Sequence, residues 1–184
     1  DIARHWHERH PPPSAGERPS AMGKDAFVAR FGGVFEHSPW VAERTHQLEL
    51  GTAHDTPIGL WSAMARVFRA ATDEERLAVL KAHPDLAGRL AEAKRLTAES
   101  TAEQASAGLS ALTDAERARF QELNTAYVER FGFPFIMAVK GRQKAEILDA
   151  FERRVGQDRA SELQTAAGEV LTIARLRLAD MLTG

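Results

Sequence analysis

The chain has 184 residues, 43% apolar and 27% charged, with 24 Lys and Arg against 26 Asp and Glu and a formal net charge of −2. That length and composition suit one ordinary domain with a real core, and argue against two large domains or a long disordered chain. The balanced charge argues against a protein that lives on phosphate contacts to nucleic acid, and the absence of cysteine excludes disulfides, thiol catalysis and zinc–thiolate sites.

No apolar run approaches the ~18 residues that span a bilayer. The longest, Phe133 to Val139, is interrupted by Pro134. No signal-peptide or targeting pattern is visible at either end. The expectation is a soluble cytoplasmic protein with neither nucleic acid nor membrane as partner.

Residues 1–18 differ from the rest, with His5, His7 and His10 followed by Pro11, Pro12 and Pro13 and no apolar period. They read as a flexible extension or a remnant of cloning, which leaves 19–184 as the folded domain. His7 and His10 stand three apart, whereas a His-Glu-x-x-His zinc helix needs four, so no metal site is expected there.

From there the chain reads as all-α, a single multi-helix domain of roughly seven or eight helices. Gly32-Gly33 ends a first helix, and Ser38-Pro39 starts the next with proline at its first position. Leu60, Trp61, Met64, Val67 and Phe68 form an apolar face after Pro57. Thr72-Asp73-Glu74-Glu75 is a capping box opening a helix to about Ala82, stopped before Pro84. Ser100 to Glu103 and Thr113 to Glu116 are two more such boxes. In the helix after Thr113, Phe120, Leu123, Tyr127, Val128 and Phe131 fall on one face. Ile147, Leu148 and Phe151 mark a helix ending near Gly156, and a last one runs from about Ser161 to Met181. No alternating strand pattern, hairpin signal or repeat is visible.

Four segments can carry chemistry, and each has a simpler structural reading. Phe31 to Trp40 reads first as a corner stapled by Trp40, although Glu36 and His37 can line a pocket. His83, just before Pro84, sits where a helix must stop and can cap its last carbonyls. It is also the residue type best able to move a proton near neutral pH. Ser100 to Gln104 is a capping box and, equally, a helix N-terminus suited to an anion. Gly132 to Arg142 reads as a buried extended segment whose backbone N–H and C=O groups must find partners and can grip an amide-rich ligand.

Together, Gly-Gly-Val-Phe-Glu-His-Ser-Pro-Trp (32–40), His-Pro-Asp-Leu-Ala-Gly (83–88), Ser-x-x-Glu-Gln-x-x-Ala-Gly-Leu (100–109) and Phe-Gly-Phe-Pro-Phe-Ile (131–136) resemble the OHCU decarboxylase family. Its members decarboxylate 2-oxo-4-hydroxy-4-carboxy-5-ureidoimidazoline to (S)-allantoin in urate breakdown. The resemblance covers about Pro19 to Leu182. It implies an all-helical enzyme with no cofactor, usually a homodimer, acting on a small-molecule ureidoimidazoline. Carried over, the catalytic histidine is His83 and Pro84 lies beside the ligand. The acidic pocket residue is Glu103, within the substrate-binding segment Ser100, Thr101, Ala102, Glu103 and Gln104. The backbone ligand segment is Phe135, Ile136, Met137, Ala138 and Val139. A catalytic arginine near the C-terminus matches either Arg175 or Arg177. The alternative is a helical ligand-binding or interaction domain on the same scaffold without catalysis.

At ~100° per residue, Leu163, Ala167, Val170, Ala174, Leu178 and Met181 share one face of the last helix, with Arg177 inside that arc and Arg175 at its rim. A charge in an apolar stripe needs a partner. A bound carboxylate or an internal acid such as Glu103 would serve, and the arginine is assigned to Arg177.

Overall fold

The computed structural model describes residues 18–86 and 112–183. Among these there are seven α-helices and no strand: α1 (Lys24–Phe31), α2 (Trp40–His46), α3 (Pro57–Ala70), α4 (Asp73–Ala82), α5 (Asp114–Phe131), α6 (Lys144–Arg154) and α7 (Arg159–Thr183). The all-α expectation holds. No described helix is long and apolar enough to cross a membrane. Residues 1–17, with His5, His7 and His10, lie outside the described residues, as does the capping box at Ser100.

The helix starts follow local chemistry. Thr72 accepts from the Glu75 N–H at 3.1 Å while the Glu75 carboxylate accepts from the Thr72 N–H at 3.1 Å. Thr113 and Glu116 do the same for α5, at 3.1 and 2.9 Å. Each box satisfies two backbone donors that the first turn leaves without intrahelical partners. Pro39 is the one small departure: it takes helical angles but sits at the cap, so α2 begins at Trp40. Phe35 C=O accepts from Ser38 N–H and Ser38 C=O from Val41 N–H, so the turn winds into the helix one residue late.

Helix α3 packs along α7 and against α2, which itself packs on α1, while α4 rests on the start of α7 and α5 pairs with α6. The Trp61 indole N–H donates to the Leu171 carbonyl at 2.8 Å and locks α3 to α7. The core is aromatic: Phe27, Phe31, Phe68, Phe120, Tyr127, Phe133, Phe135 and Phe151 are all fully buried. Each such side chain contributes about 1.5–3 kcal/mol on burial. Val128, expected on the inner face of α5, is 38% exposed. It lies one position past Tyr127, outside the buried arc of Phe120, Leu123, Tyr127 and Phe131, from which Phe120 and Tyr127 meet Phe151 of α6.

Between α5 and α6 the chain runs extended from Phe133 to Val139, buried but for Pro134. Gly132, at φ 78°, takes the left-handed turn that ends α5, and Gly141, also at φ 78°, closes the segment. A side chain at either position would be strained in that conformation.

Candidate active site

His83 caps the C-terminus of α4 in an extended conformation (φ −66°, ψ 139°), as a residue before proline must. Its N–H still reaches the Leu80 carbonyl at 3.3 Å. The ring is half-buried, and Pro84 and Leu86 beyond it are buried. Asp85 accepts from the Asn124 side chain at 2.8 Å, which ties the turn to α5. Burial lowers the His83 pKa to about 4, with the Arg177 cation and His37 acting in the same direction and Glu36 opposing them. The imidazole is therefore neutral at neutral pH, able to donate from one nitrogen and accept at the other.

Arg177 is 4% exposed and Arg175 is exposed, as the helical wheel requires. Its Nη2 donates to Glu36 Oε1 at 2.7 Å and its Nη1 to the Val34 carbonyl at 3.2 Å. Among the described residues, the acid paired with Arg177 is Glu36, from the turn joining α1 to α2, 141 residues away. Glu36 is 2% exposed, and its own carbonyl accepts from the Ser38 hydroxyl at 3.2 Å. Next to it His37 stands exposed in the left-handed region, at φ 55°. The corner read from the sequence is present, with Trp40 half-buried against the core, but its acidic residue points inward. The sequence offers Glu36 with His37 as a pocket-lining side chain, but not its pairing with Arg177. The signal that could have found it is charge: an arginine buried on α7 needs an acid from elsewhere in the chain.

The extended segment lies along α7. The Ala138 N–H donates to Glu169 at 2.9 Å, and Lys140 pairs with Asp180 at 3.1 Å. The Ile136 carbonyl accepts from Arg154 Nη1 at 2.6 Å. Arg154 is itself buried and pairs with Glu162, which also accepts from the Tyr127 hydroxyl. Burial, reinforced by that carboxylate, holds the Tyr127 pKa far above the usual phenol range. The Arg154 guanidinium sits 4.4 Å from the Phe135 ring, whose far neighbour Phe151 stacks at 3.9 Å. Phe135 is therefore held by packing, and the Ile136 C=O and Ala138 N–H already have protein partners. Met137 and Val139 are buried as well.

Arg177 is paired with Glu36, and both charges act electrostatically on His83, which Pro84 follows in the chain. Phe135 to Val139 lie along the helix that carries Arg177. Ser100, Thr101, Ala102, Glu103 and Gln104 lie outside the described residues. A neutral, half-buried imidazole within electrostatic reach of an oriented guanidinium can hold an anionic substrate and handle one proton. Among the described residues, no group of three or more His, Asp and Glu could hold a metal ion.

A family profile described as OHCU decarboxylase matches residues 20–179. The chain is 46% identical over 159 residues to the 2-oxo-4-hydroxy-4-carboxy-5-ureidoimidazoline decarboxylase of Haloferax volcanii, covering 86% of this chain and 90% of that protein. It is 45% identical over 158 residues to the protein of the same name from Halalkalicoccus jeotgali, covering 86% of each. The fold is similar to a crystal structure of (S)-allantoin synthase, with a TM-score of 0.72 and 29% identity over 92% of this chain; the match spans 54% of that longer chain. Local motifs, helix order and the matched span agree, and the chain belongs to the OHCU decarboxylase family.

Proposed function

We propose that this protein decarboxylates 2-oxo-4-hydroxy-4-carboxy-5-ureidoimidazoline to (S)-allantoin, as a cytoplasmic homodimer that uses no cofactor. The observation that carries this reading is the neutral, half-buried His83 held within electrostatic reach of the buried Arg177, in a member of this family.

The chemistry suits these residue types. The bond from ring carbon to carboxylate breaks, CO2 leaves, and the electron pair stays on that carbon, delocalised into the substrate's own conjugated imine. One proton then completes the product on a single face. The protein must orient the carboxylate, keep it from bulk water and direct that proton. In this reading His83 hydrogen-bonds the substrate's hydroxyl or carboxylate and relays a proton. Arg177 offers its planar fork to a carboxylate or carbonyl. Glu103 orients His83 or binds the ureido N–H groups, with Ser100, Thr101, Ala102 and Gln104 beside it. Main-chain groups of Phe135, Ile136, Met137, Ala138 and Val139 that the protein leaves available meet the ring edge, and Pro84 lines the site.

The test is an assay on freshly generated substrate, followed by circular dichroism. Optically active allantoin should form faster than in the spontaneous reaction. Racemic product at the spontaneous rate would favour a binding domain on the same scaffold. Light scattering during size exclusion reads the oligomeric state, expected at twice the chain mass.

A further inference from the structure

Arg177 and Glu36 are each almost completely buried and come from opposite ends of the chain. A lone guanidinium at that depth could turn about its last bonds and meet an anion in several ways. Here two of its nitrogens are committed to one side: Nη2 to the Glu36 carboxylate at 2.7 Å and Nη1 to the Val34 carbonyl at 3.2 Å. Both acceptors come from the same short turn. That turn is held in shape by the Ser38 N–H on Phe35 and the Ser38 hydroxyl on Glu36. Its left-handed residue, His37, lies outside while Glu36 lies within. The turn is therefore built around the arginine.

We propose that Glu36 is a positioning residue of this site, fixing the Arg177 fork in one orientation and balancing part of its charge so that the substrate's carboxylate meets an aimed donor that does not hold it too tightly. The proposal rests on the decarboxylase reading given above. Its physical logic is differential binding: a full, unbalanced cation would stabilise the ground-state carboxylate, whose charge must leave with CO2, more than the transition state. An oriented donor of reduced net charge lessens that penalty and keeps the geometry. Glu36 and Arg177 also act on the His83 pKa in opposite senses, the carboxylate raising it and the guanidinium lowering it.

Glu36→Gln tests this, because it keeps the shape and one acceptor oxygen and removes the charge. Rates are measured per folded enzyme, well below the unfolding temperature. The expected result is a fall of about tenfold or more in kcat with KM unchanged or lower. In 15N spectra of the arginine side chains, the Arg177 Nη signals should be resolved in wild type and averaged in the variant. A purely structural role would lower the unfolding temperature without changing kcat per folded molecule. A kcat within about twofold of wild type, or Nη signals alike in both proteins, would overturn the proposal. Should Gln prevent folding, Glu36→Asp draws the carboxylate back by one methylene and is read in the same two ways. If wild type itself gives no turnover, the decarboxylase reading falls, and the Nη signals still decide whether Glu36 orients Arg177.

Discussion

The side-chain amide of Asn124, in the middle of α5, donates to the Asp85 carboxylate at 2.8 Å, two residues beyond His83. The turn leaves α4 through His83-Pro84, where the helical ladder stops at the His83 N–H. Among the described residues, the Asn124–Asp85 bond ties it to α5. Asn124→Ala should cost about 1 kcal/mol of stability and lower kcat several-fold, because His83 loses its support. Urea unfolding paired with steady-state rates checks both; a stability loss without any rate loss would make the bond purely structural.

His83→Ala should abolish turnover while shifting the unfolding temperature little, since a half-buried cap contributes little packing. The pH dependence has a definite sign. The native His83 binds its proton only near pH 4, whereas the unfolded chain does so near the ordinary value of about 6.5. Between these the unfolded state holds more protons, so stability falls as the pH drops from above 6.5 toward 4. Urea midpoints taken across that range should show this slope in wild type and a shallower one in the variant. Turnover that needs the neutral ring should persist at pH 5.5 and fail as the pH nears 4.

Arg177→Lys should reduce kcat/KM strongly, because an ammonium cannot bridge Glu36, the Val34 carbonyl and a substrate with one planar fork. Arg175→Lys should be nearly silent, since that side chain is exposed. Steady-state kinetics of the two variants in the reverse order would move the site to Arg175.

Arg154→Met should destabilise the fold by about 3–5 kcal/mol, because it leaves the buried Glu162 charge without its cation. It also releases the Ile136 carbonyl. Adding Glu162→Leu should recover much of the loss, as a buried pair replaced by apolar groups is often neutral. Denaturant midpoints of the single and double variants decide it; an equally unstable double variant would assign the loss to the freed carbonyl.

Glu103→Gln should cut activity more than stability, since glutamine can complete a capping box but carries no charge to set against His83. Turnover close to wild type would return Glu103 to a capping role.

The helices were legible in the sequence because their causes are local. Thr72 and Glu75, or Thr113 and Glu116, lie within one turn of each other, and the hydrogen bonds they make need no other part of the chain. The burial of Arg177 could also be read, since a helical wheel needs only the sequence of α7. The end of α4 at His83 could be read as well, because Pro84 stops the helix there.

What the arginine would meet was beyond local reasoning. The partner Glu36 lies 141 residues away in a turn that looks like an ordinary corner, and nothing within that turn says which helix will pack against it. In the same way, the buried segment 133–139 showed that its backbone groups needed partners, but not that Arg154 would take the Ile136 carbonyl and Glu169 the Ala138 N–H. Val128 reads as apolar in the sequence and yet stands 38% exposed, beside the buried Tyr127. Propensity, capping and periodicity act over a few residues and are written in neighbouring side chains. The choice of ion-pair partner is made when distant elements exclude water together, and only the tertiary packing decides which charges are then enclosed side by side.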